Sequence, residues 1–181
     1  MKINCFQIKI DQNRAIEIVN KQTGFFSRLF IGRDNVIKEM KTLYIENRLI
    51  TFYITAKPPL IERLLKKYPK PVKSRIQMIA NGSTCGVAYY DPRGVEIVEE
   101  EVNEESIQKS DYPDDMLITR GNVLARKILR RRVGGNLSLE LGEIKSVYRP
   151  YHVAFYGEPV KGNKVYYVPI AADMCSVSKT F

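Results

Sequence analysis

The sequence predicts an α+β protein made of two related units, each a helix lying on an antiparallel sheet, which share one hydrophobic core. Two observations support this prediction. The stretch KTLYIENRLITFY, residues 41–53, is similar to KSVYRPYHVAFY, residues 145–156. The order helix, strand, strand surrounds both stretches. One helix on a small sheet leaves apolar surface uncovered, whereas two such units side by side can bury it.

Shorter matches flank the two stretches. Arg33–Ile37 and Arg120–Leu124 precede them, and Cys85 corresponds to Cys175. The gaps between matches are unequal, so chance similarity between β-rich segments remains the alternative. The predicted organisation is an N-terminal α+β unit with a preceding strand or hairpin at 1–110 and a C-terminal α+β unit at 111–181. A single compact domain is the other arrangement that this length allows.

The first half of the chain alternates β and helical patterns. The patterns predict, in order, a strand at 2–10, a hairpin at 14–20, a helix at 24–40, strands at 41–55 and a helix at 60–68. The segment RAIEIVN at 14–20 fits a strand or a helix, and we interpret it as part of a hairpin. Pro58 and Pro59 end the preceding strand and suit the first turn of the following helix.

The second half contains the clearest helix. The patterns predict strands from 74 to 102, an acidic strand end and linker at 99–115, a helix at 116–133, a strand at 136–148 and a hairpin that ends near 173. The helix has an apolar stripe formed by Leu117, Gly121, Leu124, Ala125, Ile128 and Leu129. Acidic residues at its start and arginines at its end complement the helix dipole.

The pieces of the second unit follow a known order. VLARKILRRR is followed by Gly142-Glu143-Ile144, by a strand with tyrosines from Tyr148 to Tyr156, and by VYYVPIAAD, which ends at Asp173. This order resembles PepSY-like domains, which are small cystatin-like α+β modules. The resemblance implies a cystatin-like fold and a role in binding, and often inhibiting, other proteins. Met-Cys-Ser follows Asp173, where that family tends to have Thr-Gly.

Charge is distributed in blocks. The net charge is +9. Seven bases and one acid lie between residues 57 and 75, ten acids and two bases between 91 and 115, and six bases with no acid between 116 and 133. Basic blocks of this kind bind polyanions, but they also form solvated faces or pair with acidic segments of the same chain. The composition is otherwise that of a globular protein.

Location and redox state are predicted from the same composition. No apolar run reaches the roughly 18 residues that cross a bilayer, and the first residues lack the apolar core of a signal peptide. Three cysteines without CxxC spacing favour reduced thiols over a disulfide framework. We therefore expect a cytoplasmic protein without a membrane span. Edge strands in a duplicated sheet would allow a homodimer.

Residues with catalytic chemistry are sparse. His152, the only histidine, alternates with apolar residues, and neither Cys85 nor Cys175 lies in a nucleophile motif. Three cysteines and one histidine do not make a zinc site, and there is no glycine-rich phosphate loop. The sequence therefore predicts no enzyme activity, no catalytic residue, no metal and no cofactor. A small thiol enzyme is kept as an alternative.

Two binding surfaces are predicted. The first is a tyrosine- and arginine-rich sheet for a protein or peptide partner, since Tyr and Arg are frequent in binding hot spots. Its candidate residues are Tyr148, Arg149, Tyr151, His152 and Tyr166. The alternative is a nucleic-acid surface on the basic helices. Its candidate residues are Lys66, Lys67, Lys70, Lys73, Arg126, Lys127, Arg130, Arg131 and Arg132.

Overall fold

A computed structural model describes residues 1–30, 37–56, 72–132, 137–156 and 166–174. The helices within these ranges are α1 (Gln12–Phe30) and α2 (Asp114–Arg132). The strands are β1 (Lys2–Phe6), β2 (Ile37–Ala56), β3 (Val72–Asn81), β4 (Val87–Tyr89), β5 (Ile97–Glu101), β6 (Ile107–Gln108), β7 (Leu137–Tyr156) and β8 (Tyr166–Ala171). The predicted helix at 60–68 lies outside the described residues.

The strands form a mixed sheet. Hydrogen bonds join them in the order β4-β3-β2-β7-β1-β5, with β6 on β2 and β8 on β7. The pairs β1–β7 and β2–β6 are parallel, and the pairs β1–β5, β2–β3, β3–β4 and β7–β8 are antiparallel. The described chain is mostly this large mixed sheet, so the predicted fold class, two cystatin-like helix-plus-antiparallel-sheet units, is wrong.

The length of two strands explains the error. The stretch at 41–53 was expected to form one or two strands of the first unit, and the stretch at 145–156 to span the end of one strand and the start of a hairpin in the second unit. Each lies instead within a strand of 20 residues, β2 or β7. The order helix, long strand, shorter strand does occur twice along the chain, as α1-β2-β3 and α2-β7-β8.

The chain divides into two compact units, each assembled from separate stretches. The first unit contains Met1–Ile45, Gly94–Gln108 and Tyr148–Ser176. The second unit contains Glu46–Arg93, Lys109–Val147 and Val177–Phe181. The strands β2 and β7 therefore contribute residues to both units.

In the first unit, α1 replaces the predicted hairpin. The carboxylate of Asp11 accepts a hydrogen bond from the backbone N–H of Arg14 at 2.7 Å, which caps the helix. Ala15 and Val19, one helical turn apart, are fully buried with Tyr156 and Ile170. The prediction of a strand relied on the alternation of apolar residues, which a single helical turn can also produce.

The predicted helix at 24–40 is also only partly correct. α1 ends at Phe30, and Ile37 and Met40 lie in β2, where they pack against the core that contains Val19. Their spacing of three residues was assigned to a helix. A spacing of three residues places two side chains on one face of a helix, but in β2 both side chains are partly buried.

In the second unit, α2 packs on β2 and β3. The buried side chains of Leu117, Ala125 and Leu129 share a cluster with Phe52 and Met78. Leu124 and Ile128 are partly buried against the same cluster. The predicted helix at 116–133 and its apolar stripe are confirmed.

At the ends of the two similar stretches, residues that match in sequence differ in burial. In TFY, Phe52 is buried under α2 and Tyr53 is exposed. In AFY, Tyr156 is buried beside α1 residues and Phe155 is half-buried. Side chains alternate along a strand, so an offset of one residue exchanges the buried and the exposed face. The sequence likeness at these positions is therefore not an equivalence in packing.

Pro150 lies inside β7, where a proline removes a ladder donor. β7 pairs with β1 at Tyr148 and with β8 from Tyr151 onward. Pro150 thus falls between the residue of β7 that pairs with β1 and the residues that pair with β8. Its carbonyl accepts a hydrogen bond from the N–H of Ala172 at 3.0 Å.

Candidate functional site

In the second unit, the inner face of α2 packs against the sheet. Gly121 lies against the sheet, and a Cβ at this position would be 3.4 Å from side-chain atoms of Ile50 and Phe52. The small residues Gly121 and Ala125 thus let the helix approach β2 closely. The opposite face of α2 is consequently turned to solvent.

The outer face of α2 is basic. Its exposed residues are Met116, Thr119, Arg120, Val123, Lys127, Arg130 and Arg131. Arg126 is half-buried beside this face and donates a hydrogen bond to the side chain of Asn122 at 2.7 Å. No acidic residue occurs between Met116 and Arg132. We call Arg120, Lys127, Arg130 and Arg131 the basic face of α2.

The cations at the end of this face are available to a ligand. Within the described residues, Arg130 and Arg131 make no ion pair with a carboxylate. Arg120 donates to the main-chain carbonyl of Cys85 at 3.3 Å. Cations in the last turn also stabilise a helix through its dipole, by about 0.3–1 kcal/mol, so part of this pattern is structural.

Carboxylates of the acidic stretch have other partners. Glu99 pairs with Lys2 at 3.0 Å in the first unit. In the second unit, Asp91 pairs with Arg93, and Asp114 accepts from Nε of Arg48 at 2.7 Å. These three carboxylates of the acidic block therefore pair with cations that lie outside the basic helix α2.

A polar network in the second unit fixes the segment before α2. One oxygen of the Glu46 carboxylate accepts from the Ser146 hydroxyl at 2.6 Å and from the Arg48 guanidinium. The other oxygen accepts from the backbone N–H of Ser110 at 2.9 Å. Arg48 in turn binds Asp114 in the first turn of α2. The network therefore connects β2 to the start of the helix.

The electrostatics of this network favour the charged forms. Burial alone would raise the pKa of Glu46, but the hydrogen bonds from Ser146, Ser110 and Arg48 outweigh burial and lower that pKa below its ordinary value. Burial likewise opposes the charge of Arg48, and Glu46 and Asp114 overcome it and raise its pKa. Sequence reasoning missed this network, although two charged residues inside a β-rich stretch were a visible signal.

The predicted peptide-binding residues lie in the first unit, and three of the five are buried. They are Tyr148, Arg149 and His152, whereas Tyr151 is half-buried and Tyr166 is exposed. Arg149 donates twice to the carboxylate of Asp173, at 2.7 and 3.0 Å, and lies 5.5 Å from the ring centre of Tyr151. Arg149 thus has a structural partner within the chain.

The ring of His152 binds the segment that precedes α1. Its Nε2 donates a hydrogen bond to the main-chain carbonyl of Ile10 at 2.7 Å. Its Nδ1 shares a hydrogen bond of 3.0 Å with the Thr42 hydroxyl. Both ring nitrogens are therefore occupied, which is the arrangement of a buried structural histidine.

The thiol of Cys5 is also tied to a partner. Its Sγ donates to Glu100 at 3.2 Å, and the Tyr44 hydroxyl donates to the other oxygen of the same carboxylate at 3.0 Å. Burial first, and then the hydrogen bond and charge of Glu100, raise the pKa of Cys5 to about 12. A thiol nucleophile needs the opposite shift.

The predicted nucleic-acid residues are placed as follows. Arg126, Lys127, Arg130 and Arg131 lie on or beside the outer face of α2, and Lys73 is exposed on β3. Lys66, Lys67 and Lys70 lie outside the described residues, as does the side chain of Arg132. The described candidates on α2 thus come together on one surface.

Comparison of the chain with protein-family models, curated proteins and solved structures found no match. The resemblance to PepSY-like domains therefore stays a prediction, while the fold that it implied is wrong. Across the described ranges, no cluster of three or more His, Cys, Asp or Glu side chains is arranged to hold a metal ion. In the same part of the chain, neither helix is long and apolar enough to cross a bilayer.

Proposed function

We propose that this protein is a non-enzymatic module that binds a nucleic-acid backbone on the basic face of α2. The observation that carries the proposal is the pair Arg130 and Arg131, exposed on a helix without acidic residues beyond its first turn and without a carboxylate partner among the described residues. Guanidinium groups bind phosphates in a bidentate fashion. A cytoplasmic location, predicted from the sequence, belongs to this proposal.

The rigidity of the surface supports the same function. The inner face of α2 packs closely on β2, and the network around Glu46 and Arg48 ties its first turn to the sheet. The helix backbone that carries the cations is therefore already ordered before a ligand binds, which lowers the entropic cost of binding. The absence of activity is part of the proposal, and the occupied ring of His152 and the raised pKa of Cys5 are consistent with it.

The test is the salt dependence of oligonucleotide binding. Binding of fluorescein-labelled single-stranded and duplex DNA is measured by anisotropy between about 50 and 200 mM salt, where backbone binding weakens steeply. We expect R130Q/R131Q to weaken binding to both DNAs and to lower the slope of log affinity against log salt by about 2. The matched control is K2Q/R93Q, which removes the same charge from two exposed ion pairs elsewhere.

Two results would overturn the proposal. One is the absence of binding by the unmodified protein at the lowest salt concentration. The other is an equal loss of affinity in R130Q/R131Q and K2Q/R93Q, which would mean that only net charge matters. Circular dichroism of each variant checks that the fold is retained.

A peptide-binding surface on β8 is the second candidate. Tyr167 is 65% exposed, and its ring centre lies 6.5 Å from that of Phe155, which in turn lies 5.9 Å from the Lys41 ammonium. Exposed tyrosines beside a cation suit a protein partner. The test is selection of peptides from a random display library, and peptides that bind this surface would bind Tyr167→Ser at least tenfold more weakly.

A further inference from the structure

The sheet of the second unit has a face turned away from α2. Along β2, Ile50, Phe52 and Ile54 belong to the core under the helix. Because side chains alternate along a strand, Thr51 and Tyr53 lie on the opposite face. Tyr53 is 54% exposed between two buried neighbours.

The ring of Tyr53 packs against one position of the neighbouring strand. Gly142 in β7 lies beneath it, and a Cβ at that position would be 2.6 Å from Cε2 of the ring and 3.1 Å from the Thr51 carbonyl oxygen. Only glycine leaves room for the ring to lie against the strand. An aromatic ring packed over a strand glycine is held in position while its outer side stays open.

Two cations lie on the same face, both on β3, which is on the opposite side of β2 from Gly142. The register of β2 and β3 places Arg75 directly opposite Tyr53 and Lys73 directly opposite Thr55. Residues directly opposite each other in an antiparallel pair share a face of the sheet. Arg75 and Lys73 are exposed, and neither makes an ion pair within the described residues.

We infer that Tyr53, Arg75 and Lys73 form a second nucleic-acid contact, which takes one unpaired base and its flanking phosphates. The base stacks on the open side of the Tyr53 ring, and the two cations bind the phosphates on either side of it. An exposed ring alone would accept many apolar groups, but a ring and two cations on one face of the sheet match the alternation of base and phosphate in a single strand. This inference rests on the proposed function and assigns it a preference for unpaired strands.

The test compares one DNA sequence in its single-stranded and duplex forms. Affinities are measured by anisotropy with a fluorescein-labelled oligo-dT of about 12 nucleotides, within the range that small single-strand sites cover, and with its duplex. We expect Tyr53→Ser to weaken binding of the single strand about 5- to 100-fold, the usual effect of losing one stacking aromatic. Tyr53→Phe keeps a ring and should stay within about twofold of the unmodified protein. Duplex binding should be unchanged in both variants.

The control is Ile97→Ser, which removes another exposed large apolar side chain and should leave both affinities unchanged. Arg75→Gln gives an independent measurement on an exposed residue, and it should lower the salt slope for the single strand by about 1. Unchanged single-strand affinity in Tyr53→Ser, or equal losses in Tyr53→Ser and Ile97→Ser, would overturn the inference. A loss in Tyr53→Phe as large as in Tyr53→Ser would also overturn it, because stacking does not need the hydroxyl.

The failures of the two proposals can be told apart. Binding that depends on Arg130 and Arg131 but not on Tyr53 or Arg75 overturns the stacking contact and leaves the basic face of α2 intact. Absence of any binding by the unmodified protein overturns both. Binding that depends on Tyr53 and not on Arg130 and Arg131 overturns the proposed site on α2 and supports the stacking contact alone.

Discussion

The backbone N–H of Gly82 donates a hydrogen bond to the main-chain carbonyl of Glu46 at 3.0 Å. This contact brings the turn after β3 against β2, one residue before the strand pairing between Asn47 and Asn81 begins. The carboxylate of the same Glu46 binds Ser110 and Ser146. Main chain and side chain of one residue therefore hold three segments of the second unit.

We predict that Gly82→Ala destabilises the protein by about 1–3 kcal/mol, the usual cost of overpacking a buried site. A Cβ at this position would lie 2.5 Å from the Glu46 carbonyl oxygen and 2.8 Å from Cβ of Ser110. Urea unfolding followed by circular dichroism measures the change. Gly86→Ala is the control, since its Cβ would meet only the Thr84 hydroxyl, at 3.2 Å. Equal stability of Gly82→Ala and the unmodified protein would contradict the prediction.

We predict that Glu46→Gln lowers the free energy of unfolding at pH 7 by about 1.5–3 kcal/mol, the range for hydrogen bonds to a charged group. The pKa of Glu46 is lower in the folded chain than its ordinary value of about 4.3. Its charge therefore stabilises the fold fully above that value, and the stabilisation is lost as the pH falls through the folded pKa. The measurement is urea unfolding of both proteins from pH 7 to pH 3.

The difference between the two proteins should thus be largest near neutral pH and shrink below about pH 4.3. Glu143→Gln is the matched control, because Glu143 forms an exposed pair with Lys145, and such pairs contribute little. A difference that stays constant down to pH 3 would show that the charge of Glu46 is not what stabilises the network.

We predict that Asp173→Asn costs about 3–5 kcal/mol, because it leaves the charge of Arg149 buried without its counter-charge. Both side chains are nearly inaccessible, and two hydrogen bonds join them. Thermal and urea unfolding measure the loss. Glu99→Gln, which breaks the exposed pair with Lys2, should leave stability almost unchanged. The reverse order of the two variants would refute the structural role given to Arg149.

We predict that Cys5 reacts slowly with iodoacetamide in the folded protein at pH 8. A pKa of about 12 leaves about one thiol in ten thousand ionised at that pH. Glu100→Gln removes a carboxylate that raises this pKa, so the modification rate should increase, whereas Glu99→Gln should not change it. Peptide mass spectrometry follows the modification of Cys5 alone. A rate equal to that of the unfolded chain in urea would contradict the prediction.

Secondary structure was predicted well where the apolar residues follow one clear periodicity. The stripe of α2 recurs every three or four residues, with acids at its start and arginines at its end, and the helix forms where expected. The β7–β8 hairpin follows from two β-rich runs around glycines. Segments 14–20 and 37–40 were assigned wrongly, because runs of so few residues fit both periods.

The candidate site was predictable only in part. The composition of the helix was enough to identify its exposed cations, because few neighbouring residues could cover a face that is basic along its length. These cations are Arg126, Lys127, Arg130 and Arg131. Tyr53 was missed as a site residue. Its ring packs against Gly142, 89 positions away in the sequence, and no local pattern around Tyr53 reveals this contact.

The order of residues alone specified the periodicity of the strongest elements and the excess of positive charge on α2. Which face of each strand is covered depends on the tertiary structure, because the covering groups come from distant segments. His152, for example, is buried, and the partners that bond its ring, Thr42 and Ile10, lie 110 and 142 residues away in the sequence. Phe52 is buried and Tyr53 exposed because α2 packs on one side of β2. Local order depends on neighbouring residues, whereas burial depends on long-range partners.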